Sequence, residues 1–276
     1  WINQVHGPTQ LINSDIRPVP LDFIFCSAKG FHPLLNKKKN GIHPNCKVWR
    51  SPKGQKIKGK VGRLVQPKSP SISFVISRLF DQNMLPAIYF IFSRKGCDRA
   101  LENINHLTLV NYKEANLISQ RLKQYSKYNQ EGIKDSVLFD ALKKGIASHH
   151  AGLLPAWKEL VEELFQQGLI KVVFATETLA AGINMPARTT VISSLSKRSE
   201  NGHRLLFSSE FLQMSGRAGR RGKDTQGYVV TVQNRFEGAK EASSLALSKP
   251  NPLISQFSPS YGMVLNLLQN YTLSKS

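Results

Sequence analysis

The residues best suited to chemistry lie in one short stretch, Gln213-Met-Ser-Gly-Arg-Ala-Gly-Arg-Arg-Gly222. Three glycines and three arginines fall between Gly216 and Gly222. A glycine in a helix interior costs about 0.5–1 kcal/mol relative to alanine, so this density is atypical of a packed helix. Arginine stays charged and can hold a phosphate through two parallel hydrogen bonds. The stretch therefore predicts a backbone that comes close to a polyanion, with guanidinium groups directed at phosphate oxygens.

The spacing of the arginines indicates which of them act together. Arg217 and Arg220 are three residues apart, so on a helical turn they would project to the same side, while Arg221 would point elsewhere. A flexible RNA-binding tail of the Arg-Gly type is an alternative. Apolar residues before the stretch and a predicted strand after it argue against such disorder.

Two further stretches follow predicted apolar strands. Phe92-Ser-Arg-Lys95 opens a helix, and its N–H groups, hydroxyl and two cations would suit a phosphate, although basic residues are common at strand ends. The second stretch runs from Thr176 to Pro186. The Thr176 hydroxyl can bind a phosphate, or it can cap a helix packed closely on the sheet. We expect all three stretches on loops beyond the carboxyl ends of strands.

The composition favours a polyanionic partner. The 276 residues include 38 Lys and Arg against 18 Asp and Glu, which gives a formal charge of +20. Nucleic acid is the leading partner, and a solvated basic surface is the alternative. The three cysteines show no spacing pattern, which indicates a reducing compartment, and we predict no metal site. No apolar run is long enough to cross a membrane.

The order of apolar segments predicts an α/β fold. From Ser71 onward, short apolar strands alternate with amphipathic helices, which is typical of a parallel sheet covered by helices on both faces. Residues 29–70 are rich in Lys, Gly and Pro. They predict an exposed, partly disordered basic insertion that is either a solvated linker or an added nucleic-acid contact. The last residues, 251–276, predict a connection into a further helix.

Two motifs of a complete nucleotide site are absent from the sequence. It contains no Gly-x-x-x-x-Gly-Lys-Ser/Thr loop, and no Asp-Glu pair follows an apolar strand where a magnesium ligand would be needed. The chain also opens with Trp1-Ile-Asn-Gln and lacks an initiator Met, so we expect an N-terminal portion upstream. This chain is therefore predicted to complete a nucleotide site that another domain begins.

Four motifs in this order resemble those of a known family. Phe92–Cys97, His149–Pro155, Ala175–Ala187 and Gln213–Gly222 are similar to helicase motifs IV, IVa, V and VI of the superkiller-type (Ski-two-like) DExH-box RNA helicases of superfamily two. The variants look most like those of the cyanobacterial and plant-plastid branch. The resemblance covers roughly residues 1–25 and 71–270.

The resemblance implies a division of the chain. Residues 1–28 would be the end of a first RecA-like domain and the interdomain linker, and 29–70 the insertion. Residues 71–248 would form the second RecA-like domain, and 249–276 the start of a winged-helix region.

The resemblance also implies roles for matching residues. Arg217 and Arg220 would reach the γ-phosphate, with Arg220 the better arginine-finger candidate, and Gln213 would position them or the attacking water. The residues implied near the nucleotide are Gly182, Asn184, Gly216, Arg217 and Arg220. Those implied to hold the nucleic-acid backbone are Ser93, Arg94, Lys95 and Thr176. His149 and His150 would lie beside the bound strand, or they are a structural pair at a strand end.

The implied function is that of an ATP-dependent RNA helicase. Its cofactors would be ATP and Mg²⁺, with the Mg²⁺ ligands in the upstream domain, and this chain alone would be inactive. The expected partners are RNA and the first RecA-like domain. The expected location is the cytoplasm of a bacterium of the cyanobacterial type, with the chloroplast as the alternative. A non-enzymatic RNA-binding module with a degenerate helicase fold and a DNA-directed helicase are the alternative functions.

Overall fold

The chain folds around one seven-stranded sheet. The structure, a computed structural model, describes residues 2–12, 17–46, 69–104, 106–128, 136–180, 185–199, 202–251 and 258–271. The strand order is β2-β1-β9-β6-β3-β5-β4, and all neighbours are parallel except β1 and β2. The strands are β1 (Leu21–Ser27), β2 (Gly30–Pro33), β3 (Ala87–Phe90), β4 (Ile146–His149), β5 (Val172–Ala175), β6 (Thr189–Ile192), β7 (Ser196–Ser199), β8 (Gly202–Leu205) and β9 (Gly227–Val232). Strands β7 and β8 form a separate antiparallel hairpin.

Helices connect most of the strands. They are α1 (Ile2–His6), α2 (Ile72–Asp81), α3 (Arg94–Asn103), α4 (Tyr112–Tyr128), α5 (Ser136–Lys143), α6 (Pro155–Gln166), α7 (Ser208–Ser215), α8 (Ala239–Leu247) and α9 (Tyr261–Asn270). Every residue of β3, β4, β5 and β6 is buried. Successive side chains of a strand point to opposite faces, so both faces of the sheet are covered there. The predicted RecA-like α/β fold is confirmed.

Helix α6 shows how the sequence pattern produces the packing. Pro155 lies in its first turn, where the missing N–H of proline costs no helical hydrogen bond. Its apolar stripe faces the core, and Trp157 is fully buried between the rings of Phe139, stacked at 5.5 Å, and Tyr125, edge-on at 5.6 Å. Burying one such side chain contributes about 1.5–3 kcal/mol. The helix is thereby fixed beside β4.

Residues 21–27, which precede the predicted boundary, belong to the same sheet. Strand β1 pairs in parallel with β9 along its length, from Leu21 beside Gly227 to Cys26 beside Val232. Its last residues are buried. The boundary predicted at residue 28 therefore does not separate two structural units, because residues 21–27 contribute a strand to the sheet that residues 71–248 complete.

The predicted insertion 29–70 is partly built into the fold. Residues 30–33 form β2, and a 3-10 turn spans Pro44–Cys46. Leu34 and Cys46 are fully buried, and the Leu34 amide donates to the Phe23 carbonyl at 2.9 Å. The prediction of an exposed, partly disordered segment is wrong in part for residues 30–46, because the chain folds back against β1, although residues 37–40 are exposed as predicted. Residues 47–68 lie outside the described residues.

Two features at the end of the described chain complete the architecture. Helix α8 lies between β9 and the last segment, and it packs against α7 and β1. Helix α9 has no buried residue among the described part of the chain, and the start of a winged-helix region stays a prediction. Among the described helices, none combines the length and the hydropathy that crossing a membrane requires.

Candidate active site

The candidate residues lie at opposite edges of the sheet. We call the edge where β3, β4 and β5 end the carboxyl edge, and the edge where β3, β6 and β9 begin the amino edge. Residues 93–95, 149–150 and 176 lie at the carboxyl edge, directly after or at the end of these strands. The Gly/Arg stretch, Gln213–Gly222, leads into Gly227, the first residue of β9, so it lies at the amino edge. The prediction that all three stretches follow strand carboxyl ends is wrong for this one.

The Gly/Arg stretch is not helical beyond its start. Helix α7 ends at Ser215, and Gly216 is its C-cap. The next residues pair instead with Ala187, whose amide donates to the Arg217 carbonyl at 2.9 Å and whose carbonyl accepts from the Gly219 amide at 2.8 Å. Arg217 and Arg220 therefore do not share a helical turn, which the prediction of a common side assumed. Each arginine has its own surroundings.

Gly219 serves close packing within the chain. Its φ is +81°, a left-handed conformation that residues with a side chain rarely adopt. A Cβ at this position would lie 2.6 Å from Cγ1 of Val19, and a Cβ on Gly227 would lie 2.8 Å from Cα of Gly219. The prediction that the glycines let the backbone approach a polyanion is thus corrected here, since the close approach is to Val19 and Gly227.

Arg217 is bound to the loop that follows β5. Its Nε donates to the Ala180 carbonyl at 3.0 Å, and its Nη2 donates to the same oxygen. Ala180 ends the 3-10 turn Glu177–Ala180, which starts two residues beyond β5. This contact joins the second and third candidate stretches of the sequence. The direction of the Arg217 guanidinium is therefore fixed by a main-chain oxygen, the carbonyl of Ala180.

Arg220 forms a two-pronged ion pair with Asp224. The Arg220 Nε lies 2.8 Å from Oδ2 of Asp224, and Nη2 lies 2.8 Å from Oδ1. The Asp224 side chain is only 1% exposed, and it also accepts from Nε of Arg188 at 2.9 Å. A guanidinium carries five N–H donors, so donors remain on Arg220 for a phosphate oxygen.

The charge state of Asp224 follows from these contacts. Burial would raise its pKa, but hydrogen bonds from Arg220 and Arg188 outweigh burial and hold the pKa well below its usual range. The carboxylate therefore stays ionised across the physiological range. Neither Asp224 nor Arg188 is among the residues predicted from the sequence, although the i, i+4 spacing of Arg220 and Asp224 is a usable signal for the first.

Arg17 supports the Gly/Arg stretch from the other end of the chain. Its Nη2 donates to the carbonyl of Ala218 at 2.7 Å and to that of Gly216 at 3.3 Å. Its Nε donates to the Val19 carbonyl at 2.9 Å. Arg17 and Ala218 are 201 residues apart. No local pattern in the sequence could have indicated this contact.

At the carboxyl edge, the first turn of α3 presents cations to solvent. Ser93 is the N-cap of α3, and its hydroxyl accepts from the Gly96 amide at 3.2 Å. Arg94 and Lys95 follow and are exposed. The Cδ of Arg94 would lie 3.5 Å from a Cβ placed on Gly152, so this turn adjoins the loop after β4. A helix N-terminus with two exposed cations is suited to a phosphate.

The two histidines at the end of β4 are buried, and each faces a carboxylate. His149 Nε2 lies 2.8 Å from Glu162, and His150 Nε2 lies 2.9 Å from Asp98. The Gly152 amide donates to Nδ1 of His150, so Nε2 carries the proton that Asp98 accepts. Burial lowers the pKa of His149, although Glu162 acts in the opposite direction. Both side chains are 5% exposed, so they offer little surface to a nucleic-acid strand.

The remaining predicted residues are placed less closely. Thr176 is half-buried, and its hydroxyl lies 2.9 Å from that of Thr178. Gln213 is exposed on α7, one turn before Arg217. Gly182 and Asn184 lie outside the described residues. The structure therefore brings Arg217 into contact with the turn after Thr176, at the Ala180 carbonyl.

A cluster of charged side chains links the turn after β5 to the start of α7. Lys197 of β7 lies 2.6 Å from Glu177, in the turn after β5, and 2.8 Å from Glu210 in the first turn of α7. Arg204 holds both carboxylate oxygens of Glu210. Burial would raise the pKa of Glu210, but Arg204 and Lys197 lower it to about 2. The cluster fixes the start of α7, and the opposite end of this helix carries the Gly/Arg stretch.

The comparisons with known proteins agree with this geometry. Residues 99–222 match the family described as helicase conserved C-terminal domain. The chain is 42% identical over 306 residues to the chloroplastic DExH-box ATP-dependent RNA helicase DExH15 of Arabidopsis thaliana, with 97% of the chain and 26% of that protein covered. It is 37% identical over 289 residues to the probable helicase HelY of Mycobacterium tuberculosis, with 97% and 32% covered. It is 35% identical over 295 residues to human exosome RNA helicase MTR4, with 100% and 28% covered.

These matches indicate the class of the chain. It is similar to DExH-box RNA helicases, and the part described here has the helicase C-terminal fold. The chain spans only about a quarter to a third of the length of these relatives.

Proposed function

We propose that this chain is the arginine-bearing motor domain of an ATP-dependent RNA helicase. The observation that carries the proposal is the separation of two cationic sites on one sheet. Arg220, held by a buried carboxylate, lies at the amino edge, and the exposed cations of the 93–95 turn lie at the carboxyl edge. One edge would face a nucleotide shared with a partner RecA-like domain, while the other holds the RNA backbone.

The residues present suit a role in completing a nucleotide site. Arg220 keeps donors for a γ-phosphate oxygen, and in related phosphoryl-transfer sites such an arginine stabilises charge that develops in the transition state. Within the described residues there is no group of three or more His, Cys, Asp or Glu that could hold a metal ion. Because the sequence has no Gly-x-x-x-x-Gly-Lys-Ser/Thr loop, we propose that the partner domain supplies the phosphate-binding loop and the Mg²⁺ ligands.

The nucleic-acid edge would bind without reading sequence. Ser93, Arg94 and Lys95 offer a hydroxyl, two cations and helix N–H groups, which are donors to phosphate oxygens. Thr176 lies on the next loop of the same edge. His149 and His150 would support this edge from behind, because their imidazoles are buried and bound to carboxylates. The names of the relatives support RNA as the strand bound, and the plant relative supports a chloroplast location.

The test is Arg220→Ala in a polypeptide that joins this chain to its phosphate-binding domain. RNA-stimulated ATP turnover should fall by about 10³–10⁵-fold, since an arginine finger contributes that much in related sites. RNA affinity should stay within a few-fold. Arg221→Ala, which removes the adjacent exposed arginine, is the matched control and should leave turnover unchanged.

Two results would reject the proposal. Retained ATP turnover in Arg220→Ala would reject the assignment of Arg220 as the arginine finger. ATP turnover by this chain alone would show that the nucleotide site is not shared between two domains. Repeating the assay with DNA in place of RNA identifies which nucleic acid stimulates the motor.

A further inference from the structure

Asp224 occupies an unusual position beside the proposed arginine finger. Its two oxygens accept four hydrogen bonds, from the Arg220 amide, the Arg220 Nε and Nη2, and the Arg188 Nε, at 2.8–2.9 Å. The amide of Asp224 donates back to the Arg220 carbonyl at 2.9 Å. Main chain and side chain of the two residues thus form one closed unit. The Arg220 side chain within it is 18% exposed.

Arg188 connects this unit to the sheet. Its Nη1 donates to the Asn83 carbonyl at 2.8 Å, and its main chain hydrogen-bonds to Pro86 before β3 and to Tyr228 of β9. Arg188 therefore has a fixed backbone and a fixed guanidinium. It also adds a second positive charge, so the buried carboxylate of Asp224 is compensated from two sides.

We propose that Asp224 is a positioning residue that fixes the direction of the Arg220 guanidinium, and that Arg188 anchors Asp224 for this purpose. A free arginine side chain loses rotamer entropy when it binds a phosphate, whereas one held by two parallel hydrogen bonds has lost most of it beforehand. Placement within a fraction of an ångström matters for charge stabilisation in a transition state. The inference rests on the proposed function of Arg220.

The opposite role for the same contacts would be a latch. In that case Asp224 would hold Arg220 away from the nucleotide, and its removal would raise turnover. The positioning role requires the reverse, because a loosened Arg220 spends less time in the productive direction. The two roles therefore predict changes of opposite sign in kcat.

The experiment uses Asp224→Asn in the polypeptide that joins this chain to its phosphate-binding domain. The side chain keeps its shape, but it loses the charge and one acceptor. We expect kcat for RNA-stimulated ATP hydrolysis to fall by about 10–100-fold, the cost of a small misplacement of a reacting group, with KM for ATP nearly unchanged. A merely structural role would lower Tm and the active fraction without this separation of kcat from KM in the folded enzyme.

A double-variant cycle isolates the coupling. In an Arg220→Ala background, Asp224→Asn should have no further effect on kcat, because the group that it positions is gone. Independent, additive losses would overturn the inference. Wild-type or raised kcat in the single variant would also overturn it, and it would leave the proposed function intact if Arg220→Ala is inactive. Retained activity in Arg220→Ala would instead reject the proposed function itself.

A second variant keeps the test valid if Asp224→Asn does not fold. Arg188→Gln leaves the Arg220–Asp224 pair in place and removes only its anchor. We expect a smaller fall in kcat, about 3–10-fold, again with KM for ATP nearly unchanged. Wild-type kcat in this folded variant would contradict the anchoring role of Arg188 and, with it, the inference.

Discussion

The two edges of the sheet handle positive charge in different ways. At the amino edge, Arg217 is bound to a carbonyl and Arg220 to a buried carboxylate. At the carboxyl edge, Arg94 and Lys95 extend into solvent from the first turn of α3. Fixed donors suit the stabilisation of charge at one point in space, since they need no reorganisation at the moment of reaction. Exposed, adaptable cations suit a polymer backbone that has to bind, slide and be released.

Helix α7 joins the two edges. Its first turn is held by Lys197 and Arg204 through Glu210, and its last three residues are the start of the Gly/Arg stretch. Eight residues span only about 12 Å at 1.5 Å per residue, so displacement of one end shifts the other as a rigid unit. Arg217 adds a second connection through Ala180. A displacement of residues at the carboxyl edge would therefore be transmitted to Arg217 and Arg220 over a short distance.

Of the variants that test the difference between the two edges, we expect Gly219→Ala to have the largest effect on the free energy of unfolding. The positive φ costs about 1–2 kcal/mol for a residue with a Cβ, and overpacking against Val19 costs about 1–3 kcal/mol more. The free energy of unfolding should fall by about 2–5 kcal/mol, measured by urea denaturation. Gly222→Ala is the matched control. It has φ of +75° with open space around it, so only the first cost, about 1–2 kcal/mol, applies.

Equal destabilisation by the two glycine variants would show that the amino edge is not closely packed at Gly219. A larger loss at Gly219 would support the contrast between a rigid arginine edge and an adaptable one.

A smaller effect is expected from the double variant Arg94→Ala/Lys95→Ala. Affinity for single-stranded RNA should fall about 10-fold at low salt, equally for unrelated sequences. The slope of log K against log salt should become shallower by about 1.4, since each lost phosphate contact contributes about 0.7. Lys123→Ala/Lys127→Ala removes the same charge from exposed positions of α4 and is the control. An identical loss of RNA affinity in the control would show that RNA responds to the overall positive charge and makes no defined contact with Arg94 and Lys95.

The smallest effect concerns pH at the carboxyl edge. Burial lowers the pKa of His149 in the folded state below the 6.5 of an ordinary histidine. Below that value the unfolded chain binds a proton that the folded chain resists, so stability is complete above about pH 6.5 and falls as the pH drops below it. Urea midpoints at pH 7.5 and 5.5 measure the loss, and His149→Gln should show less of it. The carboxylates Asp224 and Glu210 do not titrate in this window, because their pKa values lie far lower.

A pH response of His149→Gln that matches the unchanged protein would assign the loss to other groups. It would also remove His149 from the supports of the carboxyl edge.

Local patterns predicted the elements better than their arrangement. The alternation of apolar strands with amphipathic helices from Ser71 onward follows from apolar spacing alone, and α6 and β9 confirm it. The amino-edge position of the Gly/Arg stretch did not follow, because the stretch precedes its strand and the expectation assumed that it came after one. The contacts of Arg17 with Gly216 and Ala218 and of Arg188 with Asp224 depend on strand order, which brings together residues 36 to 201 positions apart. The same limit applies to residues 21–46, because within the described part of the chain β1 pairs with β2 and β9, and β9 begins 200 residues after the end of β1.

The contacts of Arg17 have a mechanical consequence. This residue holds the carbonyls of Gly216 and Ala218, and Val19, two residues later, packs directly on Gly219. A pull on the chain before Arg17 would therefore load the backbone that carries Arg217 and Arg220 without first deforming the sheet. Tension in that segment would therefore change the direction of the Arg217 and Arg220 side chains directly.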